Sequence, residues 1–253
     1  MEITTLGPDG THASQGVKKF FPDAEVRFES SIREVLDASG VRVLPLENSI
    51  EGTVRLSWDG ILDRGLSLSG IFKMPISHVL GAQGGDFNKV ISHPQAIAQC
   101  KGFIGDREVL YSSSTAEAVK MAAQDSSLAA IASEYACEIY GLPVLSRGVE
   151  DEEGNETIFG VIAEEDVFPD LKKDEMHIMV TPKKNMPGLL FDILKPFHDY
   201  GVDFTRLESR PTRKKLGDYR FLLSFKLDQN VGAVLGILKE RYGVVVLGRS
   251  VGL

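Results

Sequence analysis

Through the first two-thirds of the chain, short apolar runs are each followed by a few small polar residues and then by a helical pattern. This alternation is what most restricts the fold. Ile3–Leu6, Val41–Leu46, Val90–Ser92, Val109–Ser112 and Leu128–Ala132 are the strand candidates. Strands separated by helices predict an α/β architecture with mostly parallel pairing, and such sheets bind ligands beyond the carboxyl ends of their strands. Polar clusters fall at these junctions or at strand starts: Gly7-Pro-Asp-Gly-Thr11, Glu47-Asn-Ser49, Ser92-His-Pro-Gln95, Ser112-Ser-Ser-Thr115 and Asn155-Glu-Thr157.

Helix N-termini present unpaired backbone N–H groups and about half a positive charge, so several converging on one cleft hold an anion without lysine or arginine. Each cluster also has a plainer reading. Ser114 with Glu117 and Ser31 with Glu34 have the spacing of capping boxes. His93-Pro94 is a natural helix entry, with Pro at the first helical position. Glu47 follows the apolar Leu44-Pro-Leu46, where burying a carboxylate is costly without hydrogen bonds, and this favours a functional role for Glu47, Asn48 and Ser49. The acidic run Glu150–Glu153 reads as a solvated loop.

Composition narrows the partners. With 28 Lys and Arg against 36 Asp and Glu, the formal charge of −8 argues against nucleic acid and acidic membrane surfaces. Cys100 and Cys137 form no Cys-x-x-Cys motif and cannot supply a disulfide framework, which points to a reducing, cytoplasmic setting. The sequence has no apolar run near the ~20 residues of a membrane span, and it opens without the basic region of a signal peptide. His-Glu-x-x-His, Walker lysine, Gly-x-Gly-x-x-Gly and Gly-x-Ser-x-Gly patterns are all missing, so nothing points to a metal, a nucleotide cofactor or a serine nucleophile.

Charge also divides the chain. Residues 1–173 hold 15 basic and 27 acidic side chains, and residues 174–253 hold 13 and 9. With the polar connector Phe168–Glu175, this shift predicts a boundary near residue 172. Beyond it the pattern is strand (Met176–Val180), helix from Pro187 to Gly201 with Leu190, Ile193, Leu194 and Phe197 inward, and strands Phe204–Ser209 and Tyr219–Leu227 around a Lys/Arg-rich turn. A helix through Val231, Val234, Leu235 and Leu238 and a strand Val244–Leu247 complete a ferredoxin-like split βαβ order.

Read in order, the clusters resemble the prephenate dehydratase family over essentially the whole chain. The family's Gly-Pro-x-Gly-Thr is matched at Gly7–Thr11, its Pro-x-Glu-Asn-Ser-x-x-Gly at Pro45–Gly52, and its His-Pro-Gln-Ala-x-x-Gln-Cys at His93–Cys100. Ser114–Ala116, Ala129–Ser133 and Tyr140–Leu142 follow. The tail resembles an ACT domain, with Glu-Ser-Arg-Pro at Glu208–Pro211 and Pro-Gly-Leu-Leu at Pro187–Leu190.

The resemblance implies a two-lobed, periplasmic-binding-protein-like α/β dehydratase domain over residues 1–172, its active site between the lobes, and a ferredoxin-like ACT regulatory domain over 173–253. The implied reaction is decarboxylation and dehydration of prephenate to phenylpyruvate in L-phenylalanine biosynthesis, without cofactor or metal. The implied partners are prephenate, L-phenylalanine as allosteric effector, and further copies of the chain in a homodimer or homotetramer formed through ACT domains. Thr157 matches the family's essential threonine and is the expected hydrogen-bond donor to the leaving hydroxyl, with Glu47, Asn48, Ser92 and Gln99 as further catalytic residues. Thr11, Ser49, Ser114, Thr115 and Phe159 would bind substrate. Gly188, Leu189, Leu190, Glu208, Ser209, Arg210 and Pro211 would bind effector. Two positions depart from the pattern: Ile158 stands for an arginine, and His12-Ala13 for an aromatic residue followed by serine or threonine. These departures keep two other readings open, a weakened or inactive amino-acid-sensing homologue and an arogenate dehydratase. His12 itself reads as a surface-loop residue.

Overall fold

The computed structural model describes residues 1–212 and 217–253. In chain order the elements begin β1 (Glu2–Leu6), α1 (His12–Phe20), β2 (Glu25–Glu29), α2 (Ile32–Asp37), β3 (Val41–Asn48), β4 (Gly52–Thr53), α3 (Arg55–Arg64) and β5 (Ser67–Pro75). They continue β6 (Val79–Ala82), β7 (Lys89–Ser92), α4 (Pro94–Gln99), α5 (Lys101–Ile104), β8 (Glu108–Tyr111), α6 (Thr115–Ala122), β9 (Leu128–Ala132), α7 (Glu134–Tyr140), β10 (Val144–Arg147) and β11 (Glu156–Ala163). The last are β12 (Glu175–Thr181), α8 (Leu189–Tyr200), β13 (Phe204–Pro211), β14 (Tyr219–Lys226), α9 (Val231–Arg241) and β15 (Gly243–Gly252). They form two units, Met1–Ser57 with Phe72–Gly160 and Trp58–Ile71 with Val161–Leu253.

The first unit is the expected α/β body with two sheets. Its larger sheet runs β5-β11-β3-β1-β2, with β1 parallel to both β2 and β3. The smaller sheet runs β10-β6-β9-β7-β8; β7 is parallel to β8 and β9, whereas β6 is antiparallel to β9 and β10. Strand β9 reads Leu-Ala-Ala-Ile-Ala without polar alternation because both of its faces are covered. Leu128, Ala130 and Ala132 pack against the alanine-rich α6, and Ala129 and Ile131 pack against α4 and α5. The free thiols of Cys137 and Cys100 belong to these two clusters, and burial pushes them up to about 11 and about 12. They act as small hydrophobes rather than nucleophiles.

The loop before α1 ties the lobes of this unit together. Ser133 donates its hydroxyl to Gly10 O at 3.2 Å, and Tyr140 donates to Asp9 O. Gly10 has φ 95°, a conformation that favours glycine, and a Cβ there would be tightly placed, 3.3 Å from Ala136 Cα.

The second unit has the ferredoxin-like order β13-β14-β12-β15, antiparallel throughout. The Lys/Arg-rich turn between β13 and β14 falls at 213–216, outside the described residues. Ile193 and Phe197 of α8 are fully buried as their spacing predicts, against Ile178 of β12 and Leu223 of β14. That helix begins at Leu189 rather than Pro187, because Gly188 takes φ 81° as its N-cap; Gly201 closes it in the left-handed conformation. Strand β15 is ten residues long and pairs in parallel with the start of β5, Gly248 opposite Leu68 and Val251 opposite Gly70. Residues 58–71 and 161–172 therefore group with the C-terminal portion, and position 172 lies inside this unit.

Opposite α8 and α9, the sheet is covered by the second half of α3. Asp59 accepts from Arg210 and Arg220, one carboxylate oxygen each, at 2.7 Å. Beside it Trp58 lies 5.6 Å from the ring of His177, which is held between the hydroxyls of Ser224 and Ser250, each at 2.8 Å.

Candidate active site

Four helix starts face one cavity of about 490 Å³ in the first unit. Thr11 caps α1 by accepting from Ser14 N, Ser31 caps α2 through Glu34 N, His93 caps α4 through Gln95 N, and Ser114 caps α6 through Glu117 N. All four capping residues line the cavity. The serine half of both capping boxes and the His93-Pro94 entry thus form as the sequence predicts, while the Glu34 carboxylate reaches back to Ser30 N at 3.0 Å. The Thr11 hydroxyl is itself committed, donating to Leu6 O at 2.9 Å.

On the opposite wall the hydrogen bonds have a fixed direction. Asn48 ends β3, and its Oδ1 accepts from Ile50 N and Glu51 N, both at 3.1 Å, closing the tight turn into β4. Its amide nitrogen must then point the other way. Nδ2 donates to Asn155 Oδ1 at 2.7 Å, to Thr157 Oγ1 at 3.0 Å and to Glu156 O at 3.2 Å. Because Thr157 Oγ1 is already an acceptor, its hydroxyl hydrogen remains to be donated into the cavity that Thr157 lines. The same polarity continues outward: Asn155 Nδ2 donates to Gln99 Oε1 at 3.2 Å, and His78 Nε2 lies 3.1 Å from that same oxygen. Gln99 Oε1 is the acceptor in both, so His78 carries its proton on Nε2 and presents a bare lone pair on Nδ1.

The lining is uncharged. Among the described residues around the cavity there is no Lys, Arg, Asp or Glu; His12, His78 and His93 are its titratable side chains. His12 opens α1, its ring centroid 6.0 Å from that of His78. Burial, then the neighbouring His78, hold His12 down to about 4, and Gln15 opposes them without reaching bonding geometry with either ring nitrogen. Burial also lowers His78, against the opposing influence of Gln99 and the Glu150 carboxylate, and it lowers His93. All three are neutral at pH 7. Phe159, stacked on Phe72 with centroids 5.4 Å apart, Ile76 and Leu56 supply apolar wall.

Seven expected site residues meet at this cavity: Thr11, Asn48, Gln99, Ser114, Thr115, Thr157 and Phe159. Glu47, Ser49 and Ser92 are not among the residues lining it. Glu47 is half-buried on β3 and pairs in register with Thr53. Ser49 donates to Asn155 Oδ1 at 3.2 Å and accepts from Glu156 N, buttressing the amide network from behind. Ser92 is fully buried and donates to Ile131 O, stitching β7 to β9. Ile158 also stands clear of the cavity, because strand alternation turns it away from the face that carries Thr157 and Phe159.

His12 corrects the surface-loop reading: it is helical, half-buried, and has both ring nitrogens sealed from solvent. The sequence also gave no signal for His78, a lone histidine between two strands. Asn155 stood within a recognised cluster, but the sequence assigned it no role.

The expected effector residues lie in the second unit. Gly188, Leu189 and Leu190 form the start of α8, with Leu189 in the core against the inner face of the sheet. Arg210 is buried toward α3, bonded to Asp59 and 3.7 Å from Glu208, while Ser209 and Pro211 are exposed.

A family model described as prephenate dehydratase matches residues 3–167. The prephenate dehydratase of Methanocaldococcus jannaschii is 37% identical over 238 residues, spanning 88% of this chain and 87% of that one. The crystal structure of the prephenate dehydratase from Staphylococcus aureus subsp. aureus Mu50 is similar with a TM-score of 0.87 at 28% identity, over 99% of this chain and 100% of the other. The prephenate dehydratase from Arthrobacter aurescens, solved in complex with L-Phe, gives a TM-score of 0.87 at 27% identity, over 99% of this chain and 89% of the other. With the matched model covering all the residues that line the cavity, the chain belongs to the prephenate dehydratase family.

Proposed function

We propose that the cavity binds prephenate and converts it to phenylpyruvate, carbon dioxide and water. The observation that carries this reading is the free hydroxyl hydrogen of Thr157, aimed by the Asn48 amide into an uncharged cavity. Loss of carboxylate and hydroxyl aromatises the ring, which supplies the driving force; the protein has to orient the substrate, hydrogen-bond the departing hydroxyl and leave the departing carboxylate poorly solvated. Thr157 donates to the leaving oxygen. Asn48 and Gln99 hold that geometry, and the starts of α1 and α6, with Ser114 and Thr115, receive a carboxylate through backbone N–H groups. Glu47, Ser49 and Ser92 support the wall from outside it. Following phenylpyruvate absorbance after adding prephenate to the pure protein tests the reading; a rate equal to the uncatalysed background would refute it.

Prephenate is favoured over arogenate because arogenate carries an ammonium group, and the described lining offers it no carboxylate. A higher kcat/KM for arogenate would reverse this assignment. The lining also argues for an enzyme rather than an inactive sensor, since Ile158 is not part of it.

The second unit is proposed to be an ACT domain that binds L-phenylalanine near Gly188–Leu190 and Glu208–Pro211 and pairs two chains. Its ferredoxin-like order and the L-Phe complex of the Arthrobacter aurescens relative support this. Regulation is then a coupling free energy between effector and substrate sites. A cytoplasmic location is part of the same proposal; among the described residues no helix is long and apolar enough to cross a membrane.

A further inference from the structure

A cavity with no lysine or arginine among its described lining residues has to accept a substrate with two carboxylates. The groups best placed to change its charge are two imidazoles that the proposed mechanism does not yet use. His78 is 3% exposed, and its Nδ1 has no hydrogen-bond partner; the same is true of both ring nitrogens of His12, which faces it across 6.0 Å. We infer that the His12 and His78 pair takes up one proton as the dianionic substrate binds, so that the site is charged only while it is occupied. This rests on the reading of the cavity as the prephenate site.

The polarity of the amide network makes the argument specific. His78 Nε2 is held as a donor to Gln99 Oε1, so Nδ1 can only accept. Near a carboxylate that lone pair repels; protonated, the ring carries a positive charge that attracts the carboxylate. His12 has no competing partner to lose. A carboxylate within about 4–6 Å raises such a group by roughly 1–3 pKa units, and prephenate brings two, enough to move a histidine near 4 toward neutrality. Two imidazolium ions at this spacing would repel each other in a buried site, so the pair gains one proton rather than two.

The surroundings agree. The charged group acting on His78 is the Glu150 carboxylate, whose Oε2 accepts from His78 N at 2.9 Å and which favours the protonated form. From α4 come Gln99 and the neutral His93, and next to them Cys100 stays a thiol. On α1 the neighbour of His12 is Gln15, while Asp9 is paired with Lys18 at 2.7 Å. Where α2 and α3 reach the cavity they present Ile32 and Leu56.

The stoichiometry of the reaction calls for the same proton. The bond to the departing carboxylate breaks to give carbon dioxide, its electron pair enters the ring, and the C–O bond breaks with its pair on oxygen. That oxygen becomes water only by gaining a proton. A dianion plus one proton gives the phenylpyruvate monoanion, carbon dioxide and water, so the proton taken up at binding equals the one the departing oxygen requires, and the imidazole pair is neutral again once it has been given up.

The test is calorimetry at pH 7.5 in phosphate and in Tris, with the ring-saturated tetrahydro analogue of prephenate, which cannot aromatise. The expected result is net proton uptake in the wild type, rising toward one proton per site as the pH is lowered toward 7, abolished in the His12→Gln/His78→Gln variant, which also binds at least tenfold more weakly. Wild type that makes phenylpyruvate and binds the analogue with no buffer-dependent heat would overturn the inference and leave the function standing, and this measurement needs no variant to fold. Undiminished uptake in the double variant would overturn it as well. Wild type that neither turns over prephenate nor binds the analogue would remove the functional reading and the inference together.

Discussion

Replacing Asn48 by Asp changes one atom and should disable the site. The introduced carboxylate keeps the two backbone N–H bonds on one oxygen, from Ile50 and Glu51. Its second oxygen then faces three acceptors in place of the bonds the amide made: Asn155 Oδ1 at 2.7 Å, Thr157 Oγ1 at 3.0 Å and Glu156 O at 3.2 Å. Thr157 relieves one conflict by turning its hydroxyl onto the carboxylate, a charge-assisted bond worth about 1.5–3 kcal/mol. That rotation removes the hydrogen meant for the departing hydroxyl. Loss of one preorganised donor at a developing oxyanion costs about 2.7–4 kcal/mol, or 10²–10³ in kcat. Turning Asn155 over does not help, because its oxygen would then meet Gln99 Oε1. The expected outcome is therefore a kcat about 100- to 1000-fold lower, with KM changed little, measured by phenylpyruvate formation under saturating prephenate. Thr157→Ser should keep most activity and Thr157→Val should lose it to the same degree as Asn48→Asp. An Asn48→Asp protein within about threefold of wild-type kcat would refute the directional argument.

Three further outcomes test other parts of the structure. His177 is held neutral by burial, down to about 3, while the unfolded chain takes up its proton near 6.5. Its contribution to stability is full above pH 6.5 and is lost as the pH falls toward 3, at up to about 1.4 kcal/mol per unit; urea midpoints read by Trp58, the single tryptophan, should fall accordingly, and His177→Gln should flatten the slope. Asp59→Asn leaves Arg210 and Arg220 without their shared carboxylate and should cost about 3–5 kcal/mol, seen as a lower urea midpoint for the same tryptophan signal. Gly10→Ala puts a methyl against Ala136 and Tyr140 at positive φ; strain of roughly 1–3 kcal/mol should lower the thermal midpoint and raise KM, and an unchanged KM would mean the loop does not set the cleft.

Helix starts and apolar cores were the most legible features, because capping and periodicity are local. Ser31, His93 and Ser114 cap as read, and Ile193 and Phe197 point inward as their spacing requires. Strands β6 and β10 carry little sequence signal, being four residues long with no polar alternation; β5 is interrupted by Ser69 and Gly70, the latter packed where a Cβ would meet Phe168 at 2.8 Å. In the site, Asn48, Gln99 and Thr157 were readable from their clusters. Their hydrogen-bond polarity was not, since the turn at Asn48 is local but the bonds that carry its direction onward join residues 56 to 109 positions apart. His78 and His12 stayed hidden for the same reason: what matters is which nitrogens tertiary packing leaves unpaired.

The uncharged lining also fixes how salt should act on this protein. The first unit carries 12 Lys and Arg against 21 Asp and Glu, a formal −9 around a cavity with no attracting ion of its own. An enzyme that draws in an anion through lysine or arginine slows as ionic strength rises. Here the long-range field opposes the substrate, and added salt, which shortens the Debye length from about 30 Å at 0.01 M to about 10 Å at 0.1 M, weakens that opposition before contact while leaving the buried hydrogen bonds untouched. Wherever encounter limits turnover at low substrate, the protein works faster in brine than in dilute buffer.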